Sequence, residues 1–317
     1  MTGRSADASA MRLGLLVPTL DAGPRWVEWL AALASQTQQP DRTLVIDSSS
    51  SDQTAELARD AGLEVCSIAR ADFDHGGTRL WGLQRLHDCD VVVCMTQDAL
   101  LASPEALAKL LAAFEQTDVA AAYGRQLPHH DATPLATHAR QFNYPARSHV
   151  VSYADRQQLG IKTAFCSNSF SAWRRRDLMA LGGFPQRTLL AEDMLACARL
   201  LQAGFRVAYV AEACVAHSHN YPATAEFRRY FDTGALHAGE PWLLHSFGQV
   251  AGEGLRYVSS EWRSMRMHGR IWQWRSLKAS GMKWLGYQLG KRSRRLPRWL
   301  CQRLSMHPRW WQASGRP

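Results

Sequence analysis

From residue 12 to about 125 the chain alternates short unbroken apolar runs with stretches whose apolar positions fall three and four apart. The runs 13–17, 43–47, 64–68, 90–95 and 119–123 are strand-length and rich in Val, Ile and Leu, so they predict strands. Pro24 suits the first turn of a helix that carries Trp26, Val27, Leu30 and Leu33 on one side. Ser103-Pro104-Glu105 opens another, with Leu107, Leu110, Leu111 and Phe114 as its inward stripe. Strand–helix–strand alternation predicts an α/β fold, a Rossmann-like, mostly parallel sheet with helices on both faces. Ligands in such sheets bind at the carboxyl ends of the strands.

Further on, the pattern changes. Residues 125–160 are dense in Pro, His and Asn and read as loop-rich. An apolar stretch at 164–173 and a Gly182-Gly183 turn lead to a helix at 193–202, whose stripe is Met194, Leu195, Ala198 and Leu201 and which stops at Gly204. Residues 206–210 form one more strand, and beyond Tyr221 the chain is helical and aromatic. No internal repeat is present.

With 317 residues and 46% hydrophobic content, the chain can bury one large core or two modest ones. Its first residues are small and polar, without the charged and apolar regions of a secretory signal. The longest apolar runs fall far short of the roughly 20 residues of a membrane span. Seven cysteines at irregular spacing, with no CxxC pair, read as reduced thiols. These features predict a cytoplasmic protein, soluble or peripheral. Charge is unevenly spread: 261–317 holds 14 Lys and Arg against the single acid Glu261, a net +13 in a chain of net +9. The other 260 residues therefore sum to −4, and the main body is no basic nucleic-acid binder.

The turn after the first strand, Pro18 onward to Pro24, has neither GxGxxG nor GxxxxGK[ST], which argues against dehydrogenases and P-loop enzymes. Asp47 ends the second strand. It is either a strand end beside a helix cap at Ser51 or Asp52, or a carboxylate accepting from a nucleobase N–H at the sheet edge. In Phe73-Asp74-His75-Gly76-Gly77-Thr78-Arg79, two glycines beside His and Arg open a helix, so backbone N–H groups and a guanidinium can face an anion. Thr96-Gln97-Asp98 ends the central strand, where a carboxylate can hold a divalent cation. Glu192-Asp193 starts a helix, whose dipole alone explains two acids there. His217 and His219 leave a strand facing the same way, as a shared metal or a packed polar loop would require.

In series, these pieces resemble the family 2 glycosyltransferases, and within them the bacterial rhamnosyltransferases. The likeness runs through Val17-Pro18-Thr19-Leu20, Ile46-Asp47-Ser48-Ser49, 73–79, Thr96-Gln97-Asp98-Ala99, Tyr123-Gly124-Arg125-Gln126, Phe142-Asn143-Tyr144-Pro145, Phe165-Cys166-Ser167-Asn168-Ser169, Gly182-Gly183-Phe184-Pro185, Ala191-Glu192-Asp193-Met194, 217–221 and Arg228-Arg229-Tyr230-Phe231-Asp232. The resemblance implies a GT-A fold over 12–240, between a flexible 1–11 and a basic helical region at 241–317. It implies inverting transfer of a deoxyhexose, rhamnose from its dTDP donor, onto a glycan or lipid-linked acceptor in surface polysaccharide synthesis. Thr19, Asp47, His75, Gly76, Arg79 and Gln97 would then hold the nucleotide-sugar. Asp98, with His217 and His219, would hold Mg2+ or Mn2+, and Asp193 would be the general base, with Glu192 beside it. A helix start lowers a carboxylate's pKa, so Asp193 is expected to be ionised and a weak base.

Two departures from the family pattern matter. Thr96 replaces the first Asp of the DxD motif, which implies weaker metal binding and a share of the diphosphate charge for the His cluster or Arg79. Leu80 stands where this branch often has Asn. Two rival functions share some of these features: a sugar-phosphate nucleotidyltransferase, which lacks support from the 18–24 turn, and a non-catalytic nucleotide-sugar-binding or membrane-binding relative. The tail mixes seven tryptophans with its cations, a composition of helices lying on anionic membranes. A basic helix pair packing through its tryptophans is the alternative, and nucleic acid is not expected as a partner.

Overall fold

The computed structural model describes residues 11–248 and 252–313; of the expected flexible segment 1–11, all but Met11 lies outside them. Nine strands form one sheet: β1 (Leu13–Thr19), β2 (Arg42–Asp47), β3 (Glu64–Ser67), β4 (Val91–Met95), β5 (Leu100–Leu101), β6 (Val119–Leu127), β7 (His149–Val151), β8 (Phe170–Arg174) and β9 (Arg206–Ala216). Their order is β3-β2-β1-β4-β8-β6-β9-β5, with β7 also on β9. β3, β2, β1 and β4 run parallel, as do β6 and β9, while β8 lies antiparallel between β4 and β6. The sheet is thus mixed at its centre, a reversal that the apolar run 164–173 did not signal.

Alternation along the strands builds two cores. Leu13, Leu15 and Val17 of β1, with Val91, Val93 and Met95 of β4, face α1 (Arg25–Ala34), α2 (Thr54–Asp60) and α4 (Ala106–Leu111). Leu16, Val92 and Cys94 face α3 (His75–Arg85), α7 (Arg175–Ala180) and α8 (Glu192–Gln202). On α1 the buried stripe is Trp26, Trp29 and Leu33, whereas Val27, expected inside, is 55% exposed. Positions 26, 29 and 33 follow the 3.6-residue period, and 27 lies about 100° off that face.

The region 125–160 is more ordered than expected. Thr133 caps α5 (Pro134–Asn143), its hydroxyl accepting from the Ala136 N–H, with Pro134 in the first turn. The short α6 (Arg156–Leu159) follows β7.

After β9 the chain is helical: α9 (Ala223–Gly239), α10 (Pro241–Phe247), α11 (Glu253–Met265), α12 (Arg270–Gly290), α13 (Arg298–Leu304) and α14 (Pro308–Ala313). α12 lies on α9 at very close range. A Cβ on Gly286 or Gly290 would meet the carbonyl oxygen of Phe227 or Phe231 at 2.3 and 2.0 Å, so only glycine lets the two backbones approach this far. The buried Asp232 of α9 accepts from the Met306 N–H at 2.8 Å, and Trp310 Nε1 donates to the Arg187 carbonyl at 2.8 Å. Met306 is thereby tied to α9, and α14 to the loop before α8.

Candidate active site

The carboxyl ends of the parallel strands form one rim. Thr19 and Asp47 are register partners at the ends of β1 and β2. Asp98 follows β4, Gln126 lies near the end of β6, and His217 follows β9. Because β8 runs the other way, its start brings Ser167 and Asn168 to the same rim.

Asp47 is buried. It accepts from the Thr19 hydroxyl at 3.2 Å, and from the hydroxyl and N–H of Ser50. Gln97 is spent on the backbone: its Oε1 accepts from Leu20 N–H at 2.7 Å and its Nε2 donates to Leu20 O at 3.0 Å. Those two bonds shape the loop after β1.

The 73–79 segment differs most from expectation. The helix start is capped by Asp74, whose Oδ2 accepts from Gly77 N–H at 2.7 Å and Arg187 N–H at 2.9 Å. A Cβ on Gly76 would lie 1.7 Å from the Pro185 carbonyl oxygen, so the close approach it allows is protein against protein. Arg79 is buried rather than offered to an anion; it donates to His75 O at 3.0 Å and pairs with Glu192 at 3.0 Å. His75 packs edge-on to Phe73 and His307. This segment seats α8 on α3 through a buried ion pair, and deleting one partner of such a pair costs about 3–5 kcal/mol.

At the other end of the rim, Asp98 Oδ2 lies 3.4 Å from His217 Nε2 and 3.7 Å from His219 Nε2. One donor atom from each falls within 4.8 Å of the others. The fit to a cation can be judged from the neighbour of His217. Gln126 Oε1 accepts from Arg140, which can only donate, so that atom is the amide oxygen. The same oxygen lies 2.9 Å from His217 Nδ1, which must therefore carry the proton. In its neutral form His217 turns a lone pair, at Nε2, toward a carboxylate oxygen; in its protonated form the same nitrogen donates to Asp98. Two acceptors facing each other at 3.4 Å suit a cation between them, and a ligand histidine held by its other nitrogen is the usual arrangement.

Gln126 also joins the two halves of the rim. Its Nε2 donates to Ser167 Oγ at 2.9 Å, and the next residue, Asn168, donates its N–H to Asp193 Oδ2 at 2.9 Å and its side chain to Glu192 at 3.0 Å. An unbroken path of contacts therefore runs from Asp98 through His217, Gln126 and Ser167–Asn168 to Asp193. The residue starting this acidic pair, Ala191, has φ +61°, and Asp21, Ser49 and Arg187 in neighbouring rim loops are also left-handed. Such strained positions gather at binding and catalytic sites.

The family model for Glycosyl transferase family 2 matches residues 15–182, over half of the chain. The chain belongs to glycosyltransferase family 2. It is 48% identical over 298 residues to the O-antigen chain rhamnosyltransferase WbaN of Salmonella anatum, covering 94% of this chain and 95% of that one. It is 47% identical over 302 residues to the O-antigen chain rhamnosyltransferase RfbN of Salmonella typhimurium, covering 95% and 96%. Among solved structures it resembles the mannosyltransferase PcManGT of Pyrobaculum calidifontis, in complex with GDP-Man and Mn2+, with TM-score 0.58, 19% identity and coverage of 89% and 85%. S. aureus TarS 1–349 in complex with UDP-GlcNAc gives TM-score 0.52 at 15% identity, covering 90% and 92%. The fold is GT-A, and the chain is an inverting glycosyltransferase of polysaccharide synthesis; on its rim Asp98, His217 and His219 form a group that could hold a metal ion.

In this family 2 glycosyltransferase the acidic pair at α8 divides its charge. Burial works against ionising Glu192, but Arg79 and then His75 outweigh it and hold the carboxyl below its usual range. Asp193 moves the other way. Burial, and then the Glu192 charge, push it up to about 7 against two N–H bonds from Asn168 and Met194. This reverses the expected weak base, because desolvation and a like charge exceed the effect of the helix start. Burial is the largest cause that lowers His219 to about 4, which favours its neutral form, the form in which an imidazole can bind a metal.

Sequence reasoning missed Gln126, Arg140 and Asn168 as parts of this network, though the quoted family motifs contain Gln126 and Asn168. Arg229 was also missed. It is exposed, with no ion pair or side-chain hydrogen bond among the described residues, and its charge opposes the burial that raises Tyr221, which stacks on His219.

Proposed function

We propose that this chain transfers L-rhamnose from dTDP-rhamnose onto a glycan or lipid-linked saccharide, with inversion at the anomeric carbon. Rhamnose is supported by the names of the two Salmonella relatives, which align over nearly the whole chain. The observation that supports the mechanism is the contact path from Asp98 to Asp193, which links the Asp98–His217 pair to a carboxylate on the same rim.

Asp98, His217 and His219 would hold Mg2+ or Mn2+, which would supply positive charge to the diphosphate as it leaves. Thr19 and Asp47 hold the nucleotide, Asp47 accepting from the thymine N–H. Asp193 takes the proton of the attacking hydroxyl while the bond from the sugar to the diphosphate oxygen breaks and its electron pair departs with the diphosphate. With Arg79 committed to Glu192, Arg229 is the cation left to face that charge. Glu192 itself raises the proton affinity of Asp193, which makes it the better base. His75 and Gly76 act at one remove, by seating α8.

The region 261–317 rests on an anionic membrane at the cytoplasmic face of the inner membrane, where lipid-linked acceptors would be met. Among the described residues no helix is long and apolar enough to cross a membrane. Trp274, Trp284 and Trp299 are exposed beside the cations, whereas Trp311 is 3% exposed and packs against Phe231, so the tryptophans divide between surface and core.

The test is release of nucleotide from dTDP-L-rhamnose, UDP-glucose and GDP-mannose with Mn2+ or Mg2+. Turnover is expected from dTDP-L-rhamnose, with a fall on the order of 10²-fold or more in Asp98→Ala. Faster turnover of either other donor would remove rhamnose from the assignment.

A further inference from the structure

At the far end of α12 lies a second polar feature, remote from the rim. Gly290 lets the helix end lie close on α9, and a 3-10 turn at Ser293–Arg295 follows. This arrangement sets the exposed Lys291, Arg292, Arg294 and Arg295 around an open surface cavity of about 400 Å³ that is also lined by Gln288 and by Ala238 of α9. Ala238 is fifteen residues beyond the start of α9, about 22 Å along the helix from the catalytic end. No carboxylate among the described residues pairs with any of these cations; Lys291 has only the Tyr287 ring, at 5.5 Å. Four like charges round one opening repel each other, and an anion relieves that repulsion.

The neighbouring surface indicates where the anion comes from. Ile271, Trp274, Leu277, Trp284 and Leu285 are exposed along the outward side of the same helix, spaced so that they form one face. Arg275 and Lys278 are the only charges exposed among them. Gln288, which lines the cavity, continues this face by one turn.

We propose that the cavity is a binding site for a lipid headgroup that ends in a phosphate monoester, brought to it when the outward face of α12 lies on an anionic membrane. The proposal rests on the membrane reading above and adds a specific site to it. Three guanidiniums and an ammonium can donate to several oxygens of a phosphate monoester at once, which a diffuse electrostatic attraction does not require. The apolar face supplies depth, and the cavity supplies headgroup selection.

The test uses the whole chain and vesicles of phosphatidylcholine alone, with phosphatidylglycerol, and with phosphatidic acid at matched surface charge. Flotation is expected to be about tenfold tighter on phosphatidic acid than on phosphatidylglycerol. The double variant Arg294→Gln, Arg295→Gln should lose that excess and keep its binding to phosphatidylglycerol. Both side chains are exposed, so an unchanged melting temperature accompanies the loss. Equal binding to the two anionic lipids, or a variant that weakens both by the same factor, overturns the headgroup site and leaves the membrane reading standing. If neither anionic vesicle binds, the membrane reading itself fails. Inorganic phosphate, titrated by calorimetry, distinguishes the other source: tight binding that the double variant abolishes assigns the cavity to a soluble phosphate and overturns the lipid assignment.

Discussion

The catalytic rim and the end of α12 are both rich in charge, yet they handle it in opposite ways. On the rim, Arg79 is met by Glu192 and Asp47 by Thr19 and Ser50, while Asp98 gathers with two histidines in a group that suits a cation. What is left over is small and directed, an Asp193 of raised pKa and an unpaired Arg229. At the end of α12 no such neutralisation occurs, and four cations face outward around one cavity. Buried charge must be paired where it stands, because the interior supplies no solvent to screen it. Exposed charge can wait for a partner from outside. The first arrangement suits chemistry on a positioned substrate, the second attachment to an extended anionic surface.

The sharpest way to break this contrast is to remove the rim acid whose pKa is raised. Asp193→Asn should lower transfer by on the order of 10²–10⁴-fold, the range of a positioned general base. Calorimetric affinity for dTDP should stay unchanged, because the cation site and Asp47 are untouched. Transfer near the wild-type rate would strip Asp193 of its role.

A smaller effect is expected where the rim depends on a residue that touches no substrate. Gln126→Leu removes the acceptor that holds the His217 proton on Nδ1, and should weaken Mn2+ binding by about 10–100-fold as read by electron paramagnetic resonance. Gln126→Glu keeps an oxygen toward His217 and Arg140 and should retain the affinity of the native chain. If the Leu and Glu variants bind Mn2+ equally, His217 is not oriented from behind.

Much of the fold was legible in the sequence because its signals are local. Alternating and continuous apolar runs marked β1, β2, β3, β4 and β6, and glycine marked the end of α8. The missed helix α5 had a Thr-Pro start, but its polar face looked like loop, and the reversal of β8 is a long-range pairing that no local period encodes. The site was legible as a set of residues and less so as a set of contacts. Asp98, His217 and His219 do converge. Arg79 was read as an anion ligand because an exposed and a buried arginine look identical in sequence; only the fold reveals Glu192 against it. The same limit reversed the expected acidity of Asp193, since desolvation depends on what packs around α8.

That reversal gives the smallest predicted effect and the finest test of how the rim handles charge. Asp193 must be ionised to take a proton, and its pKa is raised to about 7, so transfer should rise with pH through that value and level off above it. A carboxylate of ordinary acidity would instead place the rise well below pH 5. Burial is the larger cause and the Glu192 charge the second, so Glu192→Gln should move the limb to lower pH by on the order of one unit without restoring the usual range. The same substitution leaves Arg79 without its buried partner, and melting should fall as well, so the pH profile has to be taken below the new melting temperature. A limb that stays in place while melting falls would mean that Glu192 serves only to anchor α3 to α8, and that desolvation alone sets the acidity of the base.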